Sequence, residues 1–348
     1  MTVSSRPPGG TPAEIAAATA YFEALEPDPD LTEEEREVIE TEILARSRRQ
    51  RETLKQLALH SREKPLDGYP KPAAIQTALM LAGLQVAGLR HLALPERLEA
   101  VQAEREFHVW AFCVEAAEES RRAVSRGLTD AASWAELAVA AAERVQAHEG
   151  WASRLRGMAG AVAANVLRVE GRLEAARAGM RKARLLWLAG SDPLEIVDPA
   201  LLLEIDASLC RAERRFAEAL DRVEKALRIG HRPERYLINK GVTLEVMGEY
   251  ERALKALLEA EPLLHRGVDP RLWCQHRFNT AFLYLRLGRY WEAVVLLQEV
   301  EELAPHLRDK NFLSRLKWLE WWLAALLGCR RETLALLERV CEGLPPGA

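Results

Sequence analysis

The side chains that most often perform catalysis are present, but they form no recognisable catalytic pattern. The five cysteines lie far apart with no CxxC pair; they are Cys113, Cys210, Cys274, Cys329 and Cys341. Zinc ribbons and disulfide frameworks need such pairs, so neither is expected. The eight histidines form no HExxH motif, and there is no GxGxxG or GxxxxGK[ST] loop. We therefore expect no catalytic site, no metal and no cofactor.

Hydrogen-bonding side chains recur with helical spacing in the second half of the chain. Arg235 lies four residues before Asn239, and Gln275 lies four residues before Asn279. Residues four apart share one face of a helix. An amide offers both a donor and an acceptor, and an arginine offers planar donors that suit a carboxylate. These residues are candidates for binding a polar ligand, provided that the fold brings them to one surface.

Composition limits the class of protein that can position them. A chain of 348 residues exceeds one ordinary globular domain, so it forms two domains or one extended array. Apolar residues make up 49%, which is enough for a continuous core. Strong helix formers are abundant, and no alternating Val/Ile/Thr run predicts a strand. The sequence therefore predicts an all-α fold.

Proline, glycine and apolar patterning divide the chain into five parts. They are a disordered tail (1–12), an N-terminal helical segment (13–64), a linker (65–72), a helical array (73–344) and a short tail (345–348). In the helical segment we expect one helix over Ala13–Leu25 and a second starting at the capping box of Thr32. The longest apolar run, Ala73–Leu89, is too short for a membrane span and predicts a buried helix.

Charge and leader patterns bear on partners and location. The net charge of −4 provides no overall field for nucleic acid or an anionic membrane. A local basic cluster is offset by nearby glutamates and is interpreted as a solvated helix face; it comprises Arg46, Arg48, Arg49 and Arg51. The first twenty residues do not resemble a signal peptide, and free thiols suit a reducing compartment. A cytoplasmic protein without nucleic-acid or membrane partners is expected.

One pattern of small, large and turn residues recurs from about residue 160. It is clearest in Gly241, Leu244, Gly248, Tyr250, Ala253, Leu257 and Ala260, and it begins again at Ala164, Ala207 and Ala281. Small residues let two antiparallel helices approach closely, and a glycine permits the tight turn between them. Each pair leaves an apolar face bare, so successive pairs must stack.

The spacing between repeats is irregular. The aromatic position after the turn recurs after 34 residues from Phe216 to Tyr250, and after 40 from Tyr250 to Tyr290. Two of the longer intervals contain Asp-Pro, at Asp198-Pro199 and Asp269-Pro270. We interpret each dipeptide as an N-cap followed by proline at the first helical position.

These residues resemble the tetratricopeptide repeat (TPR) family. The match is strong over 200–262 and 270–303 and fair over 155–190, with a divergent pair at Phe107–Ser125 and Ala131–Val145. The last pair, Asn311–Leu344, departs from the pattern at Trp321. The resemblance implies a right-handed α-solenoid of antiparallel helix pairs, a TPR-like superhelix whose first helices line a concave groove. Such grooves usually bind peptides or helices of other proteins.

The resemblance also gives the polar residues a role. Asn239 and Asn279 stand where family members that grip extended peptides present an asparagine to the groove. Arg235 and Gln275 lie one turn earlier, and Arg315 occupies the matching place in the last pair. With Phe282 they form a polar, mildly basic groove for a peptide or a carboxylate. The alternative is that they are ordinary solvated residues of first helices.

Three tryptophans share one face of a single predicted helix: Trp318, Trp321 and Trp322. They either fill the core where the array ends or form an exposed patch for a partner or a second copy of the chain.

Three functions follow, in descending order. The first is an adaptor or scaffold whose groove holds a partner protein or peptide. The second is a sensory or regulatory module of a bacterial signalling or transcription system, although residues 1–65 show no helix-turn-helix pattern. The third is an enzyme, and no residue pattern proposes its chemistry.

Overall fold

Helices account for the regular secondary structure of the described chain. The computed structural model describes residues 68–124, 128–267, 269–307 and 309–328. The helices are α1 (Ile75–Leu89), α2 (Leu94–Ala103), α3 (Trp110–Ala123), α4 (Leu128–Ala142), α5 (Glu149–Val169), α6 (Leu173–Ala189), α7 (Leu201–Ala212), α8 (Phe216–Ile229), α9 (Pro233–Val246), α10 (Tyr250–Ala260), α11 (Pro270–Arg286), α12 (Tyr290–Leu303) and α13 (Lys310–Leu326). Short 3₁₀ turns occupy Pro72–Ala74, Arg105–Phe107, Glu261–Leu263 and Ala304–Leu307. The all-α prediction is confirmed.

Several predictions fall on residues outside the described ranges. These are the tail 1–12, the helices expected within 13–64, the thiols Cys329 and Cys341, and the tail 345–348. Of the helices that are described, none is long and apolar enough to cross a membrane.

The chain divides into two compact units. The first contains residues 1–121, 132–167 and 174–197, and the second contains 122–131, 168–173 and 198–348. Helices α1 to α6 supply the first unit and α7 to α13 the second. The predicted boundaries of the linker and of the array are not tested by this division and stay predictions.

Helix α1 begins the described part of the first unit, and it is covered on one side only. Its buried residues are Ala82, Val86 and Leu89. Met80 and Leu84 are instead 64% and 65% exposed. Among the described residues, the predicted buried helix is therefore buried on one side and exposed on the other. A charge-free sequence shows that burial is tolerated on every side, but only neighbouring elements decide which side is covered.

The turn that follows α1 is held by one buried arginine. Arg97 donates from Nε to the carbonyl oxygen of Leu92 at 2.8 Å and from Nη2 to that of Arg90 at 2.9 Å. Its guanidinium also lies 4.8 Å from the ring centroid of Trp134. Burying a cation is costly unless its donors have acceptors, and here two backbone carbonyls and the Ser133 hydroxyl accept from it. The C-terminal end of α1 is thereby fixed to the core of the first unit.

The chain that leads into α1 is fixed as well. The backbone N–H of His148 donates to the carbonyl oxygen of Gly68 at 3.0 Å. The ring of Tyr69 stacks on that of His148 with centroids 4.9 Å apart, and the Tyr69 hydroxyl is hydrogen-bonded to Ser191. Residues 68 and 69 therefore have a defined position in the first unit.

The second unit is built from three apolar clusters, each shared by three consecutive helices. The first joins α7 and α8 to Tyr236 of α9, and the second joins α9, α10 and α11. The third joins α11, α12 and α13. This sharing is what the sequence pattern predicts, because a helix pair that leaves an apolar face bare must bury it against the next pair. The unit is an α-solenoid of antiparallel, TPR-like helix pairs.

Each turn between the helices of a pair is closed in the same way. Gly248 has φ +80°, Gly288 has φ +74°, and Arg214 has φ +63° at the equivalent position. The N–H of Glu249 donates to the carbonyl oxygen of Leu244 at 2.9 Å, which is the long-range bond of a Schellman motif. The predicted turn positions are confirmed, including the one that lacks glycine.

The two predicted Asp-Pro caps differ in where the helix begins. The carboxylate of Asp269 accepts from the N–H of Leu272 at 3.0 Å, and Pro270 is the first residue of α11. Helix α7 begins at Leu201, three residues after Asp198, so Pro199 is not its first residue. One carboxylate oxygen of Asp198 accepts from the N–H of Ala200 at 2.9 Å, and the other accepts from the Tyr236 hydroxyl at 2.6 Å. Asp198 therefore keeps a local partner and also gains a tertiary one.

We expect Gly248→Val to lower the free energy of unfolding by about 1–2 kcal/mol, because an L side chain is strained at a left-handed φ. The control is Gly267→Val, since a Cβ at Gly267 meets no atom within 4 Å and φ there is not left-handed. Urea unfolding checks both variants. Equal midpoints for the two would show that the turn tolerates a bulky residue.

The converse change is expected at Arg214. Arg214→Gly removes the strain of a non-glycine residue at φ +63° and should stabilise the protein by up to about 1 kcal/mol. The same substitution in a helix, Arg228→Gly in α8, should destabilise it by up to about 1 kcal/mol. Thermal unfolding should thus show shifts of opposite sign, and shifts of the same sign would contradict the assignment.

Candidate functional site

The six predicted site residues all lie on first helices of the second unit. Arg235 and Asn239 are on α9, Arg315 is on α13, and the remaining three are on α11: Gln275, Asn279 and Phe282. The structure gives them three different environments: an ion-pair network, a buried amide and an aromatic group. Gln275 is exposed and takes part in none of these.

The ion-pair network joins α9 to α7. Glu204 Oε1 accepts from Arg235 Nε at 2.6 Å and from Asn239 Nδ2 at 3.3 Å. Arg235 and Asn239 are therefore brought together, but by an acidic residue that the sequence analysis missed. Glu204 lies 35 residues before Asn239, about one repeat, so an alignment of successive first helices would have placed it beside the pair.

Arg211 extends this network along the same helix surfaces. It donates to Thr243 Oγ1 and to Ser208 Oγ, both at 3.0 Å, and reaches Asn239 Oδ1 at 3.5 Å. Burial, together with the charge of nearby Arg168, lowers the pKa of Arg211 to about 10. The side chain remains a cation at neutral pH, where its charge is balanced in part by Glu204. This arginine was also missed from the sequence.

Asn279 is the buried amide. The residue is 5% exposed, and its Nδ2 has no acceptor within hydrogen-bond distance among the described residues. A buried donor without an acceptor costs about 1–3 kcal/mol. The equivalent amide on α9, that of Asn239, has partners on both of its polar atoms. The two asparagines that look alike in the sequence therefore differ in what they still have to bind.

The aromatic group joins α11 to α13. Phe282 lies 5.7 Å from Trp322 between ring centroids, and Trp322 lies 5.6 Å from Trp318. Trp318 is 43% exposed, whereas Trp322 packs against the third apolar cluster. The indole nitrogen of Trp321 is buried and has no hydrogen-bond acceptor in the described part of the chain. Trp322 thus serves the core, and Trp318 presents aromatic surface to solvent.

Arg315 is placed close to this aromatic group. Its guanidinium lies 4.7 Å from the ring centroid of Phe278. Burial raises the pKa of Glu245 on α9, and the charges of Arg315 and Arg286 act in the opposite direction. One carboxylate and two guanidinium groups therefore interact across α9, α11 and α13. Asp309 also lies near Arg315 and is paired with Arg271.

The described cysteines and His276 are core residues. Cys113, Cys210 and Cys274 are buried free thiols. Burial raises the pKa of Cys113 to about 12 and that of Cys274 to about 11, so both are protonated at neutral pH. His276 is buried with Nε2 2.8 Å from the carbonyl oxygen of Leu257. Within the described ranges, no group of three or more His, Cys, Asp or Glu residues is placed to hold a metal ion.

Comparison with known proteins yields similar structures only. No protein-family model and no curated protein matches the sequence. A structure described as a functional characterisation of pilF from Pseudomonas aeruginosa is 17% identical, over 68% of this chain and 93% of that one, with a TM-score of 0.43. BtubC from P. vanneervenii is 16% identical, over 72% and 91%, with a TM-score of 0.45. YrrB, described as a TPR protein with an unusual peptide-binding site, is 17% identical over 52% and 81%, with a TM-score of 0.32. TM-scores below 0.5 carry no conclusion about what this chain binds.

His276 should make stability depend on pH. Burial lowers the pKa of His276, with a smaller lowering from Arg277, so the unfolded state binds a proton first as the pH falls. Stability that is present above the unfolded pKa of about 6.5 is then lost below it. We expect the free energy of unfolding to fall between about pH 7.5 and pH 5.5, and to fall less in His276→Gln. Urea unfolding at both pH values measures this, and an identical fall in the variant would exclude His276 as the source.

Proposed function

We propose that this protein is an interaction adaptor, and that the first helices α7, α9, α11 and α13 hold an extended segment of a partner protein. The observation that carries the proposal is the Asn279 amide, a buried donor with no acceptor in the described chain. A main-chain carbonyl oxygen of a bound segment would supply the missing acceptor. Binding then recovers part of the free energy that the unsatisfied donor costs, which is about 1–3 kcal/mol. Because Nδ2 is covered in the free protein, binding includes a rotation of this side chain.

Asn239 supports the same role one repeat earlier. Its hydrogen bonds to Glu204 and Arg211 are 3.3 Å and 3.5 Å long, at the weak end of the range for such bonds. Side-chain bonds of this length are readily exchanged for shorter bonds to a ligand. An amide that gives one donor and one acceptor to a peptide unit matches both groups of the backbone. Two such amides spaced by one repeat favour a segment that lies extended along the helices.

Charge then sets which segments bind. Arg235 is held by Glu204 at 2.6 Å, so it contributes little free positive charge at the α9 end. At the α13 end Asp309 is paired with Arg271, which leaves Arg315 and Arg286 beside the carboxylate of Glu245. We infer a polarity in the ligand: main-chain contacts near Asn239, and an acidic side chain or a carboxylate near Arg315.

The exposed aromatic surface offers a place for an apolar side chain. Trp318 packs against Trp322, which packs against Phe282, and Trp318 follows Arg315 by three residues on α13. Partly exposed aromatic residues next to an arginine are typical of the residues that dominate binding energy at interfaces. The preferred ligand is therefore an extended segment that combines an apolar residue with a nearby acidic one.

The test is selection from a displayed library of random peptides, followed by affinity measurement with the best peptides. We expect Asn279→Ala to weaken binding about tenfold, which corresponds to the loss of one buried hydrogen bond, and Asn239→Ala/Asn279→Ala to weaken it further. Gln298→Ala, at an exposed position of the second helix α12, is the matched amide control and should leave the affinity unchanged.

Two outcomes would overturn the proposal. One is that no peptide is enriched over the library. The other is that selected peptides bind the double variant and wild type equally. The same wild-type and variant proteins can then serve as bait in a lysate, where a partner lost with the double variant would name the pathway.

A further inference from the structure

Arg211 on α7 is a partly buried cation whose hydrogen bonds end on neutral groups. It donates to Thr243 Oγ1 and to Ser208 Oγ, both at 3.0 Å, and to Asn239 Oδ1 at 3.5 Å. Among the described residues, no carboxylate is hydrogen-bonded to this guanidinium group. A cation that is removed from water is stabilised by a hydrogen-bonded anion, so this position favours an anion from outside the protein.

The carboxylate of Glu204 balances this charge only in part. Its Oε1 accepts from Arg235 at 2.6 Å and from Asn239 at 3.3 Å. Arg168, near the end of α5 in a stretch that belongs to the second unit, acts on Arg211 as a second positive charge. Burial and this like charge lower the pKa of Arg211 to about 10, and Glu204 acts in the opposite direction. An anion bound at Arg211 would therefore be stabilised by Arg168 as well.

The guanidinium group of Arg211 is held in one orientation. The Ser208 hydroxyl donates to the carbonyl oxygen of Glu204 at 3.1 Å, and the Thr243 hydroxyl donates to that of Asn239 at 2.7 Å. Each hydroxyl thus keeps its lone pairs for Arg211. An arginine has five N–H groups, and the bonds of Arg211 within the described chain use its two terminal nitrogens. The Nε donor of this partly exposed side chain therefore remains for a ligand.

We propose that Arg211 and Arg168 bind the phosphate group of a phosphoserine or phosphothreonine in the segment that the first helices hold. The inference rests on the proposed peptide-binding function, and it adds a modification that the α7 and α9 end of the surface recognises. A phosphorylated side chain carries about −1.5 to −2 charge at pH 7 and three strong acceptor oxygens. Arginine matches phosphate oxygens through its planar donors, and arginine clusters are a recurring means of recognising phosphorylated motifs.

A phosphate group suits this position better than a carboxylate does. A carboxylate brings one charge and two oxygens, which a single guanidinium group can satisfy. A phosphate brings a third oxygen and additional negative charge, which suit two guanidinium groups that repel each other in the free protein. Asn239 is joined to Arg211 only by the 3.5 Å contact, so its amide can turn to the main chain of the segment while Arg211 binds the phosphate.

Nucleic acid is a weaker candidate for the source of the phosphate. Its phosphates are diesters with one charge each, and binding to them depends on a run of cationic side chains along the backbone. The net charge of −4 provides no overall field that attracts such a polymer. The donors around Arg211 form a single local site, which fits one modified side chain.

Two degenerate peptide libraries test the proposal, one with phosphoserine fixed at its central position and the other with serine there. We expect the full chain to enrich the phosphorylated library. Individual phosphopeptides should bind about tenfold to a hundredfold more tightly than their serine forms in fluorescence anisotropy, as charge-assisted hydrogen bonds require. Arg211→Gln should remove most of this preference. Arg252→Gln, which removes a positive charge from an exposed position of α10, is the matched control and should preserve it.

Arg168→Gln is a second variant that gives an answer even if Arg211→Gln does not fold, which circular dichroism reports. It should reduce the preference for phosphoserine to a smaller extent. A preference that persists unchanged in both folded variants would overturn the assignment of the site.

The remaining outcomes separate this inference from the proposed function. Equal affinity for phosphoserine and serine peptides, with both weakened by Asn279→Ala, would overturn the inference and leave the proposed function in place. If neither library binds, both fail. A single-stranded oligonucleotide that binds more tightly than any phosphopeptide, and loses affinity in Arg211→Gln, would overturn the inference in favour of nucleic acid.

Discussion

The second unit depends on one constraint: each helix pair must close with a left-handed turn before it can bury its apolar face against the next pair. The turn residue sets the angle at which the second helix returns, and every cluster uses three consecutive helices. Helix α9 illustrates the consequence, because Tyr236 packs in the first cluster while Ile238 and Leu244 pack in the second. A substitution that changes the backbone of one turn would therefore affect the packing of two clusters. Glycine occupies this position at Gly248 and Gly288, and Arg214 is the exception.

This arrangement determines which polar side chains of the first helices have partners within the protein. A first helix uses one side for the cores and turns its other side toward neighbouring first helices, so polar residues there either pair with one another or await a ligand. Glu204 accepts hydrogen bonds from both Arg235 and Asn239, so these two side chains have partners within the protein. Asn279 Nδ2 has no such partner among the described residues, and the preceding residue, Phe278, packs against Phe312 and Arg315. The two amides therefore make the two ends of the surface different: Asn239 already has partners, whereas Asn279 Nδ2 lacks an acceptor among the described residues.

Interactions between residues close in the sequence could be predicted, and interactions between residues far apart in the sequence could not. The turn at Gly248 and the cap at Asp269 depend on residues within five positions, and both were predicted correctly. At Asp198, proline at the first helical position was predicted wrongly, and the bond from Tyr236, 38 residues away, was missed. Glu204 was missed for the same reason, since its partners belong to the next repeat. The half-exposed state of α1 was missed because a sequence without charges does not show on which side the neighbours lie.

The two exposed surfaces differ in polarity. The exposed side of α1 carries Met80, Leu81 and Leu84 beside the uncharged polar residues Gln76 and Thr77, with no charged group. The surface around Trp318 mixes aromatic rings with Arg315 and a nearby carboxylate, so it remains hydrated when it is free. A contact that forms and dissociates needs such polar groups, because they keep the free surface soluble and give the bound state its specificity. The exposed side of α1 has no charged group of this kind, so it is less suited to a contact that forms and dissociates.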